Sequence, residues 1–205
     1  MRLLLISTFL LGYLLLVFGV RTWLHWRSTG STGFRGISGK PGSAEWWGGV
    51  LFVLALALCV AAPVLCYTAL DPLLWRPTIA TDAIGAIAAL AGAAGTSWAQ
   101  SAMGRSWRIG VRETDETELV LHGPFRLVRN PIFSFMMLAA GGLVLLFPAR
   151  ASLASFVCLV LAVELQVRRV EEPYLRRKHG EAFARYCRSV GRFVPGLGRD
   201  TGLRP

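Results

Sequence analysis

The 205-residue chain is 54% hydrophobic and only 17% charged, with a formal net charge of +10. Soluble domains carry about a quarter charged residues, and a mean hydropathy of +0.50 leaves more apolar surface than a soluble core buries. Together these exclude an ordinary soluble domain and predict an all-α, polytopic integral membrane protein, since several runs approach the ~20 apolar residues that cross a bilayer.

The first run is Leu3 to Val20, after Met1-Arg2. No small-x-small cleavage site follows it, so it reads as a retained helix and not a signal peptide. Residues 28–44 are rich in Gly and Ser and read as a mobile loop. The second run, Trp46 to Leu70, starts with two tryptophans at interface depth and ends at Asp71-Pro72. The third, Ile79 to Trp98, carries Gly85, Ala88, Ala89, Gly92 and Gly95, small residues that favour close helix packing. Asp82 near its start can reach the interface.

Residues 99–130 are polar and charged. Pro131 to Pro148 forms a fourth run and Ala151 to Val167 a fifth, parted by Ala149-Arg150, which predicts a tight helical hairpin. Both are short, as expected of helices that tilt or lie partly inside the protein. From Arg168 onward the chain is basic and amphipathic, with Leu175, Phe183, Tyr186 and Val190 available for one apolar face. The expected organisation is therefore about five transmembrane helices in two parts. Residues 1–98 hold three of them. Residues 99–205 form a core of loop 99–130, hairpin 131–167 and segment 168–205.

Charge supplies an independent check on the count. Five spans place residues 21–45, 99–130 and 168–205 on one side, and these hold 4, 5 and 10 Lys/Arg, 19 of the 22. By the positive-inside rule that side is cytoplasmic and the N-terminus lies outside. Membrane orientation thus accounts for the basic balance, which argues against nucleic-acid binding. Cys59, Cys66, Cys158 and Cys187 form no CxxC pair, and the three histidines have no ligand spacing, so no metal is expected.

Two features concentrate the chemistry. Asn130-Pro131 has the form of an N-cap and first helical residue, which points free backbone N–H groups and a positive dipole end at the loop before it. Gly123-Pro124 makes a turn, Arg126 and Arg129 add charge, and Phe125 and Phe133 supply aromatic walls. The second feature is Glu171-Glu172, just past the fifth run and flanked by Arg168, Arg169, Arg176 and Arg177. These acids either pair with the arginines or face the helix start across a pocket suited to an α-amino acid group.

The pattern LVxxGPFRLVRNPIF, followed about forty residues later by RxxEExxLxxxxGxxFxxYxxxVxRFVP, resembles the isoprenylcysteine carboxyl methyltransferase and phospholipid methyltransferase superfamily. The likeness covers roughly residues 96–195, and GRSWRIGV is similar to a loop of bacterial relatives. It implies an S-adenosylmethionine-dependent methyltransferase in a bacterial inner (plasma) membrane. By position it implies cofactor contacts at Thr117, Glu118, Leu119, Val120, Phe125, Asn130, Pro131, Ile132, Phe133 and Glu171. Arg168 corresponds to a substrate-orienting arginine, with cytoplasmic anchoring as its other reading. The sequence departs from the family at Asn130 and Phe133, where His and Tyr are usual, and at Pro173, which predicts an end or kink of the fifth helix.

Asn130 cannot titrate near neutrality, so histidine-based proton transfer there is excluded. A carboxylate or thiolate acceptor needs no base, whereas an amine or phenol would use Glu171 or Glu172. The expected partners are membrane lipid and a lipophilic small molecule arriving from the bilayer. Glu164 either faces the pocket or pairs with Arg168. The alternative functions are an NADPH-dependent sterol-type reductase and a small membrane transporter.

Overall fold

The computed structural model describes residues 2–32, 37, 39–107 and 118–200. The elements are α1 (Arg2–Leu14), α2 (Arg21–Thr29), α3 (Ala44–Tyr67), α4 (Ile79–Met103), α5 (Pro131–Leu146), α6 (Arg150–Leu165) and α7 (Glu172–Ser189). Widened π-helical turns, Leu15–Val20 and Gln166–Glu171, join α1 to α2 and α6 to α7. Among the described residues no strand forms, and Val128 and Gly191 pair only as an isolated parallel bridge.

Ile6–Thr29, Ala44–Tyr67, Ile79–Met103 and the continuous Arg150–Ser189 are each long and apolar enough to cross a bilayer. The fifth apolar helix, α5, has 16 residues. At a rise of about 1.5 Å per residue it spans ~24 Å, short of the ~30 Å hydrocarbon core. This is an all-α polytopic membrane protein, as the composition predicts.

The short α5 is held inside the bundle by α4. A Cβ on Gly92 would lie 2.4 Å from the Ala139 nitrogen, and one on Gly142 would lie 2.5 Å from the Ala89 nitrogen. Only glycine permits that approach, which is the packing the small residues of the third run predict. α3 packs along α6 on the other side, and Ser155 Oγ donates to the Ala55 carbonyl across that seam at 2.7 Å. The π turn in the first helix leaves a carbonyl outside the regular ladder, and Gln100 Nε2 donates to Val17 O at 3.0 Å.

The two ends of the bundle are closed differently. At one, Leu74 N donates to Pro148 O at 2.7 Å, tying the α3–α4 connection to the hairpin turn. At the other, Arg21 Nη2 donates to Gly104 O at 2.6 Å and His25 packs edge-on to Trp107. The turn before α5 and the segment after α6 share this second end.

Pro173 does not end the helix. Its missing N–H falls just past the π turn, where the i→i−4 ladder is already broken, so α6 continues through Gln166–Glu171 into α7. The break comes later, at Gly180, whose φ of 49° is open to glycine without steric cost. α4 extends to Met103, into the region read as polar loop. In the Gly/Ser-rich stretch α2 continues to Thr29, and residues 33–36 and 38 lie outside the described residues.

Candidate active site

The C-terminal segment is zipped onto the chain entering α5. Arg129 N donates to Gly191 O at 2.8 Å, Asn130 N to Arg192 O at 3.1 Å, and Ser134 Oγ to Phe193 O at 2.7 Å. Asn130 occupies the N-cap position of α5, but its side chain makes no cap, because Nδ2 donates to Arg192 O at 3.3 Å. Its amide is used for zipping, which leaves the first-turn N–H groups of α5 without a side-chain partner from the cap.

Arg129 organises this junction. All five of its N–H groups are used: two bond Glu172 Oε1, at 3.2 and 2.9 Å, and three bond the carbonyls of Cys187, Val190 and Gly198. The side chain is buried, as is Glu172. Arg192 adds a fork onto the same carboxylate, with Nε to Oε1 and Nη2 to Oε2 both at 2.8 Å. Burial by itself raises the Glu172 pKa, but hydrogen bonds from Arg192 and Arg129, with their charges, outweigh it and hold the carboxyl below its ordinary value. Glu172 is ionised at neutral pH. Its bonds raise the Arg192 pKa in turn.

Beside this cluster lies a cleft of about 530 Å³, open mouth included, that joins the end of α4, the stretch before α5 and α7. Its apolar walls are Met103, Leu119, Val120, Phe125, Leu175 and Phe183, and its polar groups are Ser106, Glu118, Arg129, Asn130, Glu172 and Tyr186. Tyr186 is not free to act on a ligand through its proton, since its hydroxyl donates to Phe125 O at 2.6 Å and burial raises its pKa. That bond fixes the Gly123–Arg126 turn against α7.

The structure thus brings together Glu118, Leu119, Val120, Phe125, Asn130 and Glu172. Pro131 is buried at the start of α5, and Ile132 and Phe133 pack into the apolar cluster around Val163 and Val167. Glu171 is partly buried and outside the cleft lining, to which its neighbour Glu172 belongs instead. Arg168 is about half exposed and pairs with Glu164 one turn back, away from the lining. Thr117 lies outside the described residues.

In the sequence Arg129 stands out only as added charge, and Arg192 not at all. One signal was available: a buried acid needs cations, and the two motifs each place one arginine next to a turn, in R-N-P and R-F-V-P. Leu175, Phe183 and Tyr186, expected as one apolar face, all turn inward to the cleft.

A zwitterionic amino-acid group with an attached apolar ring fits these residues. The ionised Glu172 and the exposed Glu118 suit an ammonium, the uncapped α5 start suits a carboxylate, and the walls suit a planar ring. A family model described as phospholipid methyltransferase matches residues 80–182, half of the chain. The match runs from α4 into α7 and contains every cleft residue except Phe183 and Tyr186. No curated protein matches the chain.

Proposed function

The chain belongs to the phospholipid methyltransferase family and is a membrane methyltransferase, and we propose that it methylates a lipophilic small molecule with S-adenosylmethionine as donor. The observation that carries the choice of donor is the ionised, buried Glu172 at the edge of an apolar-walled cleft. Neither a sterol-type reductase nor a transporter is favoured by the family match.

When bound, S-adenosylmethionine supplies an electrophilic methyl group on a positively charged sulfur. Glu172 would hold its ammonium, with Glu118 at the mouth. The first turn of α5 would hold its carboxylate, and Phe125, Leu119, Val120, Leu175 and Phe183 would enclose the ring and keep water out. Alignment of the reacting atoms is the main task such a site performs.

Glu172, fixed between two guanidinium groups with a lowered pKa, is a poor proton acceptor. A holding role suits it better than that of a base. Asn130 carries no titratable group. The site therefore favours an acceptor that arrives already nucleophilic, such as a carboxylate or thiolate.

The cleft sits at the end of the bundle that gathers most Lys and Arg, which we assign to the cytoplasmic side of a bacterial inner membrane. The acceptor reaches it laterally from the bilayer, each buried methylene contributing about 0.8 kcal/mol to partitioning. Calorimetric titration with S-adenosylhomocysteine and with NADPH tests the donor. Saturable binding of the first alone is expected, and binding of NADPH alone would overturn the reading. A long-chain acceptor methylated no faster than its short, soluble analogue would remove lateral access.

A further inference from the structure

Past α7 the chain makes a turn that packs against the bilayer-crossing helices and reaches the Glu172 carboxylate. Arg192 N donates to Leu197 O at 2.8 Å and Leu197 N to Val194 O at 3.0 Å, closing the turn. Gly196 and Gly198 take the positive φ values it needs, 79° and 72°. At its base Phe193 packs onto the cluster of Ala55, Met136, Leu159, Val163 and Val167, which belongs to the apolar band of α3, α5 and α6. Beside it Val194 and Leu197 are 51% and 66% exposed. They are the only large apolar side chains left exposed within residues 168–200, where α7 turns its own apolar residues inward. Arg192 and Arg199 bracket the pair in sequence.

The same turn is wired to the carboxylate. Arg129 bonds the carbonyls at both of its feet, Val190 at 2.5 Å and Gly198 at 3.1 Å, while also holding Glu172. Arg192, on the turn itself, forks onto both oxygens of Glu172. Both cations of Glu172 are thus tied to the turn, Arg129 through its feet and Arg192 from within it.

We propose that the 191–198 turn is a membrane-inserting element whose partner is the headgroup–acyl boundary of the bilayer, and that its seating sets how Arg192 engages Glu172. The occupant follows from position: Phe193 seats the turn against the bilayer-crossing helices, Val194 and Leu197 stand exposed beside it, and Arg199 suits a lipid phosphate. The coupling half rests on the cofactor-cleft reading above, whereas insertion does not.

The test uses full-length protein in vesicles of phosphatidylcholine and phosphatidylglycerol. Leu197→Cys carries an environment-sensitive fluorophore, Glu181→Cys on α7 is the solvent control, and labelled wild type gives the background from the native cysteines. The label at 197 is expected to shift to the blue and to be quenched by lipids carrying a nitroxide near the headgroup, while that at 181 does neither. Equal behaviour at 197 and 181 overturns insertion. In the same vesicles Leu197→Asp is expected to lose S-adenosylhomocysteine affinity and Leu197→Met to keep it. Unchanged affinity in Leu197→Asp overturns the coupling. Quenching at 197 in a wild type that binds no S-adenosylhomocysteine supports insertion and overturns the cofactor reading instead.

Discussion

Two buried carboxylates sit at opposite ends of the bundle, and their partners differ in kind. Asp71 accepts backbone N–H groups of Arg150 and Ala151, at 3.3 and 2.8 Å. It caps α6 from another segment, since Ala149 at the N-cap position has no side-chain oxygen to offer. The Arg150 guanidinium approaches it at 3.4 Å but is 70% exposed, so that ion pair adds little. Glu172 has only side-chain partners, two guanidinium groups drawn from two other segments. Backbone donors are fixed by the helix they begin, whereas a side-chain donor can swing to another acceptor. Asp71 is thus a permanent seal, and Glu172 sits at an open cleft with at least one exchangeable partner.

The sharpest way to break that comparison is Arg129→Ala. It strips the buried Glu172 of one cation and unties three carbonyls of the C-terminal segment. Removing one partner of a buried ion pair costs about 3–5 kcal/mol, and denaturant unfolding in detergent should show a loss of that size with no detectable S-adenosylhomocysteine binding. Arg129→Lys should rescue little, because a point charge cannot reproduce five donors in a planar fork. A loss no greater than that of the exposed Arg168→Ala would mean that Arg129 does not hold this end together.

The next variants separate the two glutamates. A charge-assisted hydrogen bond contributes about 1.5–3 kcal/mol, so Glu172→Gln should weaken S-adenosylhomocysteine binding roughly ten- to a hundred-fold. Glu171→Gln, outside the cleft lining, should change it by less than about threefold. Larger loss at Glu171 would place the ammonium contact there and leave Glu172 to its arginines.

The helices and their small-residue seam were legible because they are local or periodic: apolar runs give spans, and glycines at regular spacing give close packing. Charge likewise groups the segments that meet at one end of the bundle. What escaped were pairings between distant segments. Nothing near Asp71 says that it caps a helix eighty residues later, and nothing in R-N-P says that Arg129 ends on Val190 and Gly198. The choice between Glu171 and Glu172 turned on the π turn before them, since a widened turn rotates everything after it relative to the regular helical phase.

Asp71→Ala tests the other half of the contrast. Loss of a cap costs about 0.5–2 kcal/mol, so unfolding should move by that much while S-adenosylhomocysteine affinity stays at the wild-type value. A matching loss of affinity would show that the two ends are energetically coupled, and the division into seal and site would fail.

The smallest effect expected is in pH dependence. The folded-state pKa of Glu172 lies below its ordinary value of 4.5, so its contribution is complete above the unfolded pKa and is lost only as pH falls through the folded value. Across pH 5 to 8 the carboxylate is ionised in both states and adds no slope. His179, whose pKa is lowered by burial and by the neighbouring Lys178, adds its own tilt to the wild-type curve, its stability contribution falling as pH drops. The informative quantity is therefore the difference in unfolding free energy between wild type and Glu172→Gln. That difference should be flat from pH 8 to 5 and should shrink only below about 4.5, as the wild-type carboxylate takes up its proton. A difference that instead grows as pH falls through about 6 would mean that burial outweighs the two arginines and raises the carboxyl. Glu172 would then be protonated within reach of neutrality, able to give and take a proton, and the holding role assigned to it would have to yield to an acid–base one.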